Sequence, residues 1–154
     1  MYTLSVAVDV NPPGTTPRLS QDQVWHGLIM KAENAVLFVP RMQSCTVIER
    51  WADGLLREVV NAGNRFREKI TFTPPVEVLF ERVDTADNAG WITNVISESE
   101  HGLLLTFTFA VNLPGVAPGT AEERAKGETM RESYVGAVKA TLARVRQLVG
   151  EGEL

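Results

Sequence analysis

Between Gln43 and Asn112 apolar and polar residues alternate with a period of two, interrupted by turn-forming residues at Asp53-Gly54, Asn61 to Asn64, Pro74-Pro75, Ala86 to Gly90 and Glu100 to Gly102. Alternation puts successive side chains on opposite faces of a strand, and short turns reverse the chain, so this stretch predicts six consecutive antiparallel strands. A seventh comes first, over Tyr2 to Val10, with Leu4, Val6, Val8 and Val10 on one side and Asn11-Pro12-Pro13-Gly14 ending it. Helical spacing replaces alternation in two places. Ser20 and Gln23 form a capping box ahead of Val24, Trp25, Leu28, Ile29, Ala32 and Val36, a stripe that ends before Pro40. Thr120 and Glu123 form a second, opening a long helix to about Val149 with Met130, Tyr134, Ala137, Val138, Thr141, Leu142, Val145, Leu148 and Val149 on one face. Its first two turns read as solvated, and Glu151 to Leu154 as a frayed tail.

Strand, helical excursion, six-strand meander and terminal helix make an α+β class, with a strongly curved antiparallel sheet around one long helix. The 154 residues, 44% hydrophobic and 22% charged, suit a single domain over residues 1–150. A net charge of −4 offers no general attraction to nucleic acid or anionic lipid. The lone Cys45 forms no internal disulfide, and Cys and His nowhere take metal-ligand spacing, so the reading calls for no metal and no cofactor. Gly102 to Ala121 is free of charge, but Thr106, Thr108, Asn112, Pro114 and Pro118 break it into a strand and a loop rather than a membrane span. With no basic leader in MYTLSVAVDV, the expected compartment is the cytoplasm.

This order of elements resembles the helix-grip fold of the START, or SRPBCC, superfamily, which includes the major birch pollen allergen. More narrowly, the strings NPPGTTPRLSQDQVWHGLIMKAENAVLFVP, GWITNVISE and LLLTFTFAVNLPGV resemble the AtaL-like subfamily, named after a protein of a fungal acetylaranotin biosynthesis cluster. The resemblance implies a cavity between sheet and terminal helix, used across the superfamily for lipids, sterols, plant hormones or polyketide intermediates. It implies no single activity, since relatives include carriers, polyketide aromatases and cyclases, and proteins that bind chaperones. No catalytic motif carries over.

Hairpin register narrows the candidates, because directly opposed side chains share a face. An even turn centred on Ala62-Gly63 opposes Val59 with Phe66, Arg57 with Glu68 and Leu55 with Ile70, the apolar face, and leaves Glu58 against Arg67 on the other. The turn near Ser99 to Gly102 likewise opposes Ile96 with Leu105, Asn94 with Phe107 and Ile92 with Phe109. Val76, Val78 and Phe80 extend the face and Arg82 stands at its end. The candidate ligand-binding set is therefore Arg57, Glu68, Asn94, Phe66 and Phe107, with Tyr134 contributed by the terminal helix. Two readings of Arg57 and Glu68 stand: polar points that orient a ligand, or a structural cross-strand pair. Asn94 bonds either a ligand or a neighbouring backbone group or water, and Tyr134 either packs or presents its hydroxyl to the cavity.

His26 and His101 read as surface residues, Cys45 as a small buried or semi-buried one, and Trp25, Trp51 and Trp91 as packing bodies. Glu33 and Asn34 lie late in the first helix, near the cavity mouth, and the Leu113 to Gly119 loop is placed to gate it. Functionally, the sequence favours a protein that encloses a small apolar or aromatic molecule. The alternative is a polyketide cyclase or dehydratase with Glu68 as base and Arg57 polarising an enol or carbonyl oxygen, against which stands the weakening of a carboxylate base by an Arg partner. Action through the outer surface on another protein is a third reading, and no partner is identifiable for it.

Overall fold

In a computed structural model describing residues 1–84 and 86–154, the chain runs through β1 (Tyr2–Asp9), α1 (Gln21–Glu33), β2 (Met42–Trp51), β3 (Gly54–Asn61), β4 (Asn64–Thr73), β5 (Glu77–Arg82), β6 (Gly90–Ser99), β7 (Gly102–Val111) and α2 (Ala121–Gly150). Short 3-10 turns lie at Ala35–Leu37 and Ala86–Asn88. The strands form one antiparallel sheet in the order β1-β7-β6-β5-β4-β3-β2, curved around α2. At about 1.5 Å per residue, the 30 residues of α2 reach across the sheet. Two register shifts in the edge strand β2, between Met42 and Ser44 and between Val47 and Glu49, are bulges that bend it.

The turn at Asn61 to Asn64 sets the register of the whole β3–β4 hairpin. Ala62 (φ 49) and Gly63 (φ 83) both take left-handed backbone, as the two-residue turns that match strand twist require. Arg57 therefore faces Glu68, Val59 faces Phe66 and Leu55 faces Ile70, as expected. In β4, Phe66, Glu68 and Ile70 are buried while Arg65, Arg67 and Lys69 are exposed. The β6–β7 hairpin pairs Asn94 with Phe107 and Ile96 with Leu105, also as expected. Beneath α2 the core is closed by Val138, Leu142, Val145 and Leu148 against Leu105, Phe107, Phe109 and α1. Each such side chain contributes about 1.5–3 kcal/mol on burial.

α1 opens with the predicted capping box, Ser20 Oγ accepting from Gln23 N and Gln23 Oε1 from Ser20 N. It crosses α2 at Gly27, where a Cβ would run into the Val145 side chain, so only glycine allows this approach. Five expectations need correction. α1 ends at Glu33; the chain then turns through Ala35–Leu37, which leaves Val36 exposed rather than in the stripe. Val76 donates its N–H back to Thr73 O in the turn before β5, so it is exposed instead of extending the concave face. Trp91, read as a packing body, is also exposed.

The start of α2 is the fourth: it is exposed as expected except at Glu123 and Gly127, which are buried. The Glu123 carboxylate accepts from Gly119 N at 2.8 Å and meets the Met1 amine at 3.2 Å, which together hold it below the usual carboxylate range, the Gly119 bond foremost and against the opposing effect of burial. Gly127 makes room for the Tyr2 ring. Where fraying is expected, the chain after α2 makes a Schellman ending, with Gly152 (φ 77) donating to Val149 O and Glu153 to Leu148 O, and Leu154 packs on the core. No helix among the described residues is long and apolar enough to cross a membrane.

Candidate functional site

Between the concave face and the first half of α2 lie two adjoining recesses that share Val39, Asn61, Phe66, Arg82, Tyr134 and Ala137 as walls. The outer one, about 570 Å³, is bounded by the loop around Pro40, the β3–β4 turn, Leu113 and Pro114, and Met130 and Ser133 of α2. The inner one, about 100 Å³, ends on Lys31, Arg57, Glu68, Phe80, Asn94 and Phe107. All six sequence-derived candidates, Arg57, Glu68, Asn94, Phe66, Phe107 and Tyr134, line the inner recess. Pro114, from the loop read as a gate, lines the outer one.

Cross-strand register brings Arg57 against Glu68, and both are almost fully buried, at 3% and 4% exposure. Arg57 Nε and Nη2 donate to the same carboxylate oxygen, Glu68 Oε2, at 2.9 and 2.7 Å. Its Nη1 donates to the carbonyls of Lys31 and Ala32, each at 2.9 Å. These carbonyls lie in the last turn of α1, the negative end of its dipole, so Arg57 ties that helix end to the sheet. Cys45 Sγ lies 3.8 Å from the same nitrogen and donates weakly to Glu33 O. Every nitrogen of the Arg57 guanidinium thus has a protein partner. Glu68 keeps Oε1 unpaired among the described residues.

Lys31 is the residue that sequence reasoning missed. It stands three positions after Leu28 and seven after Val24, on the buried face of α1, and its Nζ reaches Asn94 Oδ1 at 2.8 Å. Asn94 is 2% exposed, so its carbonyl end is met by a lysine rather than by backbone. Burial first, then the Arg57 charge, bring the Lys31 amine down to about 8, with Glu68 acting in the opposite direction. Phe80 lies below both cations, 5.6 Å from Lys31 Nζ and 5.2 Å from Arg57 Cζ. Its helical spacing on the apolar face of α1 is the signal that could have found it.

Arg82, opposite Glu68 in the β4–β5 register, lies over the Phe66 ring at 4.7 Å and donates to Asn88 Oδ1 at 3.1 Å. Among the described residues its buried Nε and the buried Oδ1 of Asn61 lack partners. Tyr134 stacks obliquely on Phe109 at 4.3 Å while lining both recesses, so it packs and borders the cavity at once. Phe107 stacks on Phe109 at 6.4 Å. Glu33 and Asn34 are exposed, Glu33 paired with Arg50, and neither lines a recess. Among the described residues no three His, Cys, Asp or Glu side chains gather as a metal site.

A family described as "Acetylaranotin biosynthesis cluster protein L", AtaL, matches residues 4–152, nearly the whole chain. The chain belongs to the AtaL family. Among curated proteins none matches this AtaL-family sequence. Solved structures of similar fold include the di-domain aromatase/cyclase StfQ of the steffimycin biosynthetic pathway, with a TM-score of 0.70 at 10% identity over 97% of this chain and 51% of that one. The Zhui aromatase/cyclase from Streptomyces sp. R1128 is similar with a TM-score of 0.65 at 17% identity, covering 96% and 94%. Ara h 8.0201 gives 0.57 at 14% identity, covering 94% and 97%. The AtaL-family chain spans about half the length of the di-domain proteins it matches. At such identities the likeness establishes the fold of this AtaL member, a curved sheet gripping a long helix.

Proposed function

We propose that this chain binds a small apolar or aromatic molecule in the cavity between its sheet and α2, in the setting of secondary metabolism. The observation that carries this reading is the cavity wall: apolar over most of its area, with Lys31, Glu68 and Asn94 as polar groups at its inner end, an arrangement suited to burying an apolar body and orienting one polar end. Arg57, Glu68, Asn94, Phe66, Phe107 and Tyr134 are the proposed contacts, Arg57 acting by holding Glu68 and α1 in place. No nucleic acid enters this proposal, and a reducing cytoplasm suits the free thiol of Cys45.

Native mass spectrometry of the purified protein, followed by denaturing extraction, tests the reading. An apolar compound retained at one per chain is the expected result. Failure to retain any compound, or to take up any from a panel of aromatic small molecules, would overturn it.

One observation favours a second reading. Glu68 has an unpaired oxygen at the recess, and the names of StfQ and Zhui are those of aromatase/cyclases. Glu68 would then take a proton from a chain folded in the cavity. Glu68→Gln should abolish turnover of a reactive poly-β-keto substrate while leaving binding; unchanged turnover would remove Glu68 from that mechanism.

A further inference from the structure

The charges around the cavity are lopsided. Its walls carry Lys31, Arg41, Arg57 and Arg82 but, among the described residues, a single carboxylate, Glu68. The chain as a whole carries −4, so this excess of positive charge is a local arrangement and not a reflection of composition. Glu68 gives one oxygen, Oε2, to two nitrogens of Arg57, and its single charge offsets only one of the four cations. Lys31 is met by the neutral amide of Asn94, and Arg82 by the neutral amide of Asn88 and the face of Phe66, its Nε having no partner among the described residues. Lys31 and Arg82 are half-buried, and cations drawn partly out of water in excess of their counter-charges are unfavourable unless something else supplies the charge.

Resting on the reading that the cavity encloses an apolar molecule, we propose that this molecule carries an oxyanion, of the carboxylate kind, at its inner end, seated between Lys31 and Arg82. The apolar body then lies against Phe66, Phe107 and Tyr134, which border the same recess. Arg41 at the outer recess draws such an anion toward the mouth. Arg57 contributes by fixing the last turn of α1, and with it the root of the Lys31 side chain. This assigns the polar work of the site to two residues other than the buried ion pair.

A matched pair of probes separates this inference from the reading beneath it: 2-naphthylacetate and its neutral amide, titrated calorimetrically at pH 7. The acid should bind about tenfold or more tightly than the amide, since charge-assisted hydrogen bonds in a desolvated site are the stronger kind. Lys31→Met and, independently, Arg82→Gln should each bring the ratio toward one, so that failure of one variant to fold leaves the other decisive. Affinity for the acid should also fall as pH rises past about 8, where the free Lys31 amine loses its proton, while affinity for the amide holds. The groups facing Lys31 are Arg57 from β3, Glu68 from β4, Arg82 from β5 and Tyr134 from α2. Equal binding of acid and amide would overturn the oxyanion and leave the apolar cavity standing. Binding of neither probe, with no adduct in native mass spectrometry, would overturn both.

Discussion

The β3–β4 hairpin carries two Arg–Glu ion pairs one residue apart, and they have opposite fates. Arg57 and Glu68 meet at 2.7 Å with side chains 3% and 5% exposed. Glu58 meets Arg65 at 2.6 Å and Arg67 at 3.4 Å, with the arginines 70% and 52% exposed. Residue types, turn and strands are the same; only the face differs. Inside, the pair is hydrogen-bonded on to the carbonyls of α1 and holds a helix end. Outside, it sits in water, where screening and side-chain entropy leave such contacts with little net value. A charge pair therefore matters in proportion to what its burial forces it to satisfy.

The most severe break in this contrast is Glu68→Leu, which leaves the Arg57 guanidinium buried without its counter-charge. A loss of about 3–5 kcal/mol is expected in urea unfolding, and replacing Arg57 by Met in the same chain should recover part of it. If the double variant is as unstable as the two single losses added together, the pair is not acting as a unit.

Of intermediate size is the effect of pH on Lys31. Its folded value of about 8 lies below the ordinary 10.5 of the unfolded chain, so between those values the unfolded state binds the extra proton and stability rises with pH. Below about 8 both states are protonated and the cost of the buried charge is constant. Wild type should thus gain on Lys31→Met by about 1–2 kcal/mol between pH 7.5 and 9.5. A parallel response of the two proteins would place the amine in water.

The smallest effect sharpens the comparison from the outer side. Glu58→Ala should cost less than about 1 kcal/mol and should lose even that in high salt. A loss comparable to that of Glu68→Leu would end the distinction between the faces.

Much of this was legible in the residues. The Asn61 to Asn64 turn and the alternation on either side of it determine that Arg57 and Glu68 point inward, because a two-residue turn leaves one register and one register leaves one choice of face. The same reasoning placed Asn94 beside Phe107. Errors arose where a local pattern ran past its element. Val36 continues a helical stripe in spacing but follows the end of α1, and Val76 continues an alternation but lies in a turn.

The register of the β3–β4 and β6–β7 hairpins and both helix starts are properties of neighbours in the chain, and the sequence by itself determined them, whereas the pairing of β1 with β7 joins the two ends of the sheet. Which charges would find partners was a different matter. Lys31 meets an amide 63 positions away, and Arg57 bonds carbonyls 26 and 25 positions away. Those separations are closed only when α1 docks against the curved sheet, so only the tertiary structure decided that Arg57 is fully occupied while Lys31 meets the neutral amide of Asn94 and Arg82 that of Asn88.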